Sequence, residues 1–410
     1  MPAEPASFTT MNPQPTASDR SLPIHKAAIA PEQQRTGSVD QFEARWISDV
    51  GEMEGLIDSW RKLATKALHY NGAFECNFLI PAFRHLATCL SKTKNVRLMV
   101  VENVASETLV GLAPFSKTKI FGLPWSAIQI WKDDQFFDTT PLLHRDYADQ
   151  AWTQMIDLLK SEGHSFLELD TVSADSQFNE LLKRNTNEHF HGTFQKQLFE
   201  RAMLRPGSSA EDYQKQFLST SKRKKLRRLF RKLESLGSVE FELSSPESDF
   251  PSLADEFLEL ECAGWKGENG TALASNPNTE SFYREMIERS ADHQARFITM
   301  RQNGKSLAML SDIRSNGVVF SYKTAYHPDF ADYSPGIQIE LRNIEFLHQE
   351  QIQYADSCTS SDNSTMEQIW SERTPFQHLI LALRGGIPAV LTKCFPLGQK
   401  LSGMIRGKNR

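Results

Sequence analysis

YKTAYHPDFADYSPGIQIELRN, residues 322–343, is the stretch on which the reading of the chain turns. A β-branched run, VVFSYKTAY, ends at Tyr326, and Pro335 with Gly336 then opens a helix expected to reach about Gln349. The bare N–H groups and the dipole at such a helix start accommodate a pyrophosphate, and Tyr333 and Ser334 add hydroxyl donors. Ser-Pro-Gly is by itself an ordinary turn; its position after a strand is what favours an anion site. Neither GxGxxG nor GxxxxGKS occurs, which disfavours dinucleotide and P-loop nucleotide chemistry.

Working outward, ARFITMR, SLAMLSDIR and VVFSYKTAY read as strands joined by Asn303-Gly304 and Asn316-Gly317 turns. Before them come SVEFEL and helices near 249–262 and 279–293; after them comes a short strand over 353–356. The first half repeats this order. FEARWISDV is a strand, helices follow near 53–68 and 78–90, and VRLMVVENV pairs with TLVGLAPFSKTKI as a hairpin. A helix near 148–160, the strand SFLELDTV, a helix near 177–184 and a strand within 190–199 complete it. The expected fold class is α/β, mixed α+β: a duplication of two units, each a mixed, largely antiparallel sheet flanked by helices. The divisions fall at 1–40, a disordered tail; 41–205; 206–385; and 386–410, a second tail.

Composition narrows the function. In 410 residues, 40% hydrophobic and 24% charged, there is material for a packed core, and a net charge of −5 argues against coating nucleic acid. Five cysteines without CxxC spacing indicate neither a disulfide framework nor a zinc cluster, and fit a reducing cytosol. His189 and His191 lack a third ligand at a suggestive spacing, so no metal is expected. No basic-then-apolar leader opens the sequence, and Phe376–Phe395 is interrupted by Arg384, Gly385, Gly386, Pro388 and Lys393, short of the roughly 20 apolar residues a spanning helix needs. A soluble, cytoplasmic protein is the expectation.

Three stretches carry candidate chemistry. SKRKKLRRLFRKLESLG, 221–237, is an amphipathic helix with Leu226, Leu229, Leu233 and Leu236 on one stripe, capped by Ser221 and ended by Gly237. Lys222 and Arg223 at its start oppose the helix dipole, a conflict that an anionic ligand relieves; a solvated basic face is the plainer reading. In YADSC, Asp356 ends a buried strand, where burial lifts a carboxylate toward the working pH of a general base, although capping the turn through Ser357 is commoner. Cys358 has no histidine placed beside it by the sequence and is not taken as a nucleophile. Trp265 and Lys266, after FLELECAG, either line a substrate slot or divide between core and surface.

These pieces together resemble a known family. Over residues 211–384, STSKRKKLRRLFRKLESLG, ECAGWKGENGTAL, FYREMIE, the strand ending YKTAYHPDFADYSPG, and ADSC followed by QIWSER are similar in order and context to the CelD-like, cellulose-biosynthesis-related acetyltransferases of the GNAT superfamily. More distantly they resemble the Fem-type aminoacyl transferases, which pair two such domains. The resemblance implies tandem GNAT-like domains and an acyltransferase moving an acyl group, acetyl by expectation, from acyl-CoA to an amine or hydroxyl acceptor in polysaccharide or envelope biosynthesis. It implies Tyr333, Ser334 and Gly336 at the donor pyrophosphate, and Trp265, Lys266, Lys323, Tyr326 and Asp356 along the acceptor cleft. Asp356 is the expected base, with Lys323 or Tyr326 polarising the carbonyl or protonating the leaving sulfur. His327 departs from the family's aspartate, and Asn363-Ser364 from its His-Pro. The rivals are an aminoacyl transferase fed by charged tRNA, with the basic helix along the RNA backbone, and a silent scaffold of the same fold. Peripheral membrane contact through VLTKCFPLGQKLSGMIRGKNR is a further expected partner interaction.

Overall fold

The structure is a computed structural model that describes residues 41–87, 96–290, 294–359 and 364–396. The expected tail 1–40, residues 397–410 and Asn363 lie outside the described residues. In chain order the first half holds β1 (Phe42–Ile47), α1 (Val50–Gly55), α2 (Ile57–Thr65), α3 (Cys76–His85), β2 (Arg97–Asn103), β3 (Thr108–Thr118), β4 (Ala127–Ile130), β5 (Leu142–Leu143), α4 (Ala148–Ser161), β6 (Phe166–Ser173), α5 (Gln177–His189) and β7 (Gly192–Leu204). Two helices, α6 (Ala210–Phe217) and α7 (Thr220–Glu234), lead into the second half. Next come β8 (Val239–Leu243), α8 (Phe250–Ala263), α9 (Trp265–Glu268), α10 (Pro277–Ser290), β9 (Ala295–Gln302), β10 (Lys305–Ser315), β11 (Val318–Tyr326), α11 (Pro335–Gln349), β12 (Tyr354–Asp356), α12 (Ser364–Ile369) and β13 (Glu372–Ala382).

The expected elements form where their local chemistry is strongest. Asn303-Gly304 and Asn316-Gly317 both take positive φ at each residue, the backbone that a two-residue hairpin turn requires. Helix α7 is capped by Ser219, whose hydroxyl accepts the Lys222 N–H at 3.3 Å, not by the expected Ser221, because the helix begins at Thr220, two residues before the start that a Ser221 cap implies. Helix α11 spans the expected Pro335–Gln349. Residues 387–396 are helical and bury Phe395 against Phe166 and Phe194, so ordered chain continues past residue 385.

All thirteen strands join one sheet in the order β1-β2-β3-β4-β6-β13-β7-β12-β11-β10-β9-β8, with β5 beside β3. Matching β8–β12 to β1, β2, β3, β4 and β6, and β13 to β7, makes that order read alike from either end. The expected duplication is therefore a pseudo-two-fold repeat of mixed, largely antiparallel sheet flanked by helices. Its axis passes between β7 and β13, and each half's last strand has crossed it: β13 lies between β6 and β7, and the end of β7 reaches β12. Strand β13 is not among the expected elements. Pro375 within the run weighs against a strand, but the sheet uses its carbonyl, which accepts the Ala174 N–H at 2.8 Å.

Side chains fasten this crossing. Arg201 of β7 donates from Nη1 to Asp356 Oδ2 of β12 at 3.0 Å, and its guanidinium lies 4.0 Å from the ring centroid of Phe376 on β13. Both charged side chains are 4% exposed. The apolar core also crosses the midline, with Phe78 of α3 packed edge-on to Phe282 of α10 and to Tyr322 of β11.

The exchange implies that neither half folds alone. A fragment of residues 41–205 should lack cooperative thermal unfolding until a fragment of 206–396 is supplied; a folded, monomeric 41–205 would contradict it. The ion pair implies that Asp356→Asn or Arg201→Met each costs about 3–5 kcal/mol in denaturant unfolding by stranding a buried charge, whereas the double variant recovers much of the loss.

Candidate functional site

Among the described residues the two halves each contain one parallel strand pair, and at each the sheet opens. β11 bonds to β12 only from Val318↔Tyr354 to Phe320↔Asp356, and then runs on to Tyr326 without a β12 partner. β4 and β6 pair in parallel over Ala127–Gln129 and Phe166–Glu168. Beyond the opening the two halves diverge. In the first half residues 131–147 fold back so that β5 pairs with β3, and α4 starts with Asp149 in its first turn. An acid there already answers the dipole.

In the second half the connection is short. A 3-10 turn, Pro328–Tyr333, is capped by His327, whose Nδ1 accepts the Asp329 N–H at 3.3 Å. The histidine thus performs the capping an aspartate would perform at this departure from the family pattern. Ser334 follows in the left-handed region at φ +55, and its carbonyl accepts the N–H groups of Ile337 and Gln338, both at 3.0 Å. Its side chain makes no cap, and the first turn of α11 holds no acid. Gly336 backs onto Tyr326: a Cβ there would stand 3.5 Å from the tyrosine ring, an ordinary contact. Tyr333, Ser334, Gly336 and Tyr326 are thereby brought together at the mouth of the β11/β12 opening.

Lys323 lies on the unpaired part of β11, its Nζ 4.9 Å from the Tyr322 ring centroid. Burial, then the nearby Lys266 charge, push its ammonium down to about 8, against the pull of Glu261, Asp134 and Cys358. Lys266 is fixed: its Nζ donates to Glu261 Oε1 at 2.7 Å and to the Thr324 carbonyl at 3.2 Å, while Glu261 Oε2 accepts the Leu273 N–H at 2.8 Å. Lys266 therefore ties α9 to β11 and lends charge to Lys323. The turn that carries it needs Gly267, since a Cβ there would come within 1.9 Å of the Cys262 carbonyl oxygen. Trp265 is 53% exposed, so its indole is not part of the core.

Asp356 occupies the end of β12 as expected, but its carboxylate is held by two donors, Arg201 Nη1 and the Cys358 N–H at 2.8 Å. Burial raises its pKa, while Arg201 and the Cys358 amide oppose the shift. Lys222 and Arg223 are likewise committed to protein acceptors. The Lys222 Nζ bonds the carbonyl and Oε1 of Gln368, and Arg223 bonds the Leu218 carbonyl and Thr220 Oγ1. The relief of the helix-start conflict comes from these neighbours.

Two groups escape any reading of the sequence alone. Arg201 lies 155 positions from its partner Asp356, and His69 lies 69 from Asp138, so no local spacing links either pair. His69 Nε2 meets Asp138 Oδ2 at 2.7 Å beside a cavity of about 290 Å³ on the midline, shared with Tyr70, Arg205, Tyr354 and Asp356. Burial opposes protonation of His69, but Asp138 outweighs it and holds the imidazole above its ordinary range. Glu261, by contrast, stands within FLELECAG, five positions before Lys266, and is legible as its neighbour.

Residues 220–363 match the model of the acetyltransferase (GNAT) domain. No curated protein matches the chain. Among solved structures, FemX is similar at 11% identity and a TM-score of 0.51, over 78% of this chain and 95% of that one. The C-terminal domain (DUF2156) of a putative lysylphosphatidylglycerol synthetase from Agrobacterium fabrum is similar at 11% identity and a TM-score of 0.50, over 83% and 95%. The matched span contains α7, the β11 opening, the start of α11 and Asp356, and the structural likenesses extend the shared fold across both halves.

Proposed function

We propose that the protein is an acyltransferase whose donor, an acyl thioester of coenzyme A, lies in the opening between β11 and β12 with its diphosphate against the start of α11. One contrast carries the reading. Of the two pseudo-equivalent openings, both lead to a helix without a side-chain cap, but the first turn contains Asp149 at the first and no acid at the second. The match of residues 220–363 to the GNAT acetyltransferase domain supports the same half as the donor half.

The reaction joins an acceptor amine or hydroxyl to the acyl carbon. The acceptor's lone pair attacks the thioester carbonyl, the carbon–sulfur bond breaks, and the sulfur takes a proton from the Lys323 ammonium. The neutral amine left behind takes the proton shed by the acceptor, so the lysine ends as it began. A group that titrates at about 8 suits both transfers. Asp356, bound by Arg201 and the Cys358 amide, serves as a positioning residue at the floor of the opening rather than as the base. Trp265, exposed beside the fixed Lys266, is a contact for the acceptor. Resemblance to the CelD-like proteins supports acetyl as the acyl group, cytoplasmic chemistry, and an acceptor drawn from polysaccharide or envelope precursors.

The donor site is tested with acetyl-CoA in a thermal-shift assay. The wild-type melting temperature should rise with ligand, by mass action on the folded state. Gly336→Asp should keep or raise the unliganded melting temperature, because an acid at a helix start is favourable, while abolishing the rise with acetyl-CoA. A variant still stabilised like the wild type would remove the diphosphate from α11, and stabilisation by charged tRNA in place of acetyl-CoA would select aminoacyl transfer. For the chemistry, Lys323→Met should lower kcat by about 10²–10⁴-fold. Wild-type kcat should fall as pH rises through about 8, where the ammonium is lost, and the variant should show no such limb; an unchanged limb in Lys323→Met would take the lysine out of the proton path.

A further inference from the structure

Helix α7 sets an unbalanced charge on an acidic protein. Eight of its 15 residues are lysine or arginine and only Glu234 is acidic, while the whole chain has a net charge of −5. Among the described residues, none of the eight is within ion-pair distance of a carboxylate, although elsewhere most partly buried arginines have one. Leu226 and Leu233 face the core, and Lys222 and Arg223 are held by Gln368, Leu218 and Thr220. Lys224, Lys225, Arg227, Arg228, Arg231 and Lys232 are exposed. At 100° per residue these six sweep an arc of about 160° along a helix about 22 Å long.

One edge of that arc borders a groove of about 850 Å³ between α6, α7, α11 and β8. Its floor is apolar, made by Leu218, Leu226, Phe230, Phe241 and Leu341, and Arg227 and Arg231 stand on its rim. Two of the carboxylates around it are neutralised within the protein, Glu211 by Lys215 and Glu345 by Arg342; Glu234 is the third. Phe217, 38% exposed, lies just before α7, and Leu236, 54% exposed, just after it.

We propose that α7 and this groove form a docking surface for an anionic lipid membrane, with lipid phosphates on the six cations and one acyl chain on the groove floor. A nucleic acid would use the cations but leave the groove, Phe217 and Leu236 without a role; an anionic bilayer uses all three. The groove shares no lining residue with the donor and acceptor contacts proposed above, and binding to it needs neither donor nor acceptor.

The test is co-sedimentation of the full chain with vesicles of phosphatidylcholine alone and of phosphatidylcholine mixed with phosphatidylglycerol, at rising salt. The protein should pellet with the mixed vesicles, weaken with salt, and stay in solution with phosphatidylcholine alone. Arg227→Glu/Arg231→Glu should weaken binding at least tenfold with an unchanged melting temperature, because both side chains are exposed. Dihexanoylphosphatidylglycerol below its micelle concentration should shift the methyl resonances of Leu226 and Leu341, which report the groove. Equal pelleting of wild type and variant would overturn the proposal. So would binding to a duplex RNA, sensitive to the same substitutions, without binding to the anionic vesicles.

Discussion

The exchange of β7 and β13 across the pseudo-two-fold axis is the constraint that organises the molecule. It places a strand from the end of the chain inside the sheet of the first half, and the last residues of β7 beside the sheet of the second. The Arg201–Asp356 pair and the Phe376 ring sit where β7, β12 and β13 meet, far enough from solvent that charge and counter-charge are held in register. Because β12 is only three residues long, its place beside β11 depends on that fastening. The short pairing of β11 with β12, and so the opening beyond Phe320, is a product of the crossing as much as of the local sequence.

Duplication has produced two openings with unlike surroundings. In the first half the long segment after β4 turns back on its own sheet, and its aromatic residues reach across the midline: Phe137 stacks on Phe320 at 4.7 Å, and Gln135 accepts the Tyr322 hydroxyl at 2.9 Å. The first half thus supplies a wall for the opening of the second. The midline cavity with His69 and Asp138 lies at the same meeting of the two copies. The two copies have thus diverged without changing topology: one keeps an acid-free helix start, and the other lends walls.

Much of this is legible in the sequence because the deciding signals are local. Asn-Gly turns, the Pro335–Gly336 helix start and the period of α8 and α10 each act within a few residues, and the repeat of element order emerges from them. For Asp356 the sequence conveys position and burial but not the partner that holds its carboxylate, since Arg201 is on another strand far away in the chain. Strand β13 is hidden for a related reason. Pro375 weighs against a strand in isolation, and only the neighbouring β6 and β7 show that its missing N–H is tolerated. Lys222 and Arg223 illustrate the converse: the conflict with the dipole is local and readable, but its resolution depends on Gln368 and Leu218, contacts that helical spacing does not encode.

The crossing also bears on how the chain is made. During translation the ribosome releases β6 and β7 long before β13, so the slot between them stays vacant while some 170 further residues are synthesised. The backbone groups of β6 and β7 that pair with β13 are without those partners through that interval, an invitation to pairing with other nascent chains. Completion of the amino-terminal half is therefore a late event in biosynthesis, tied to the arrival of β13 rather than to the order in which the residues of that half emerge.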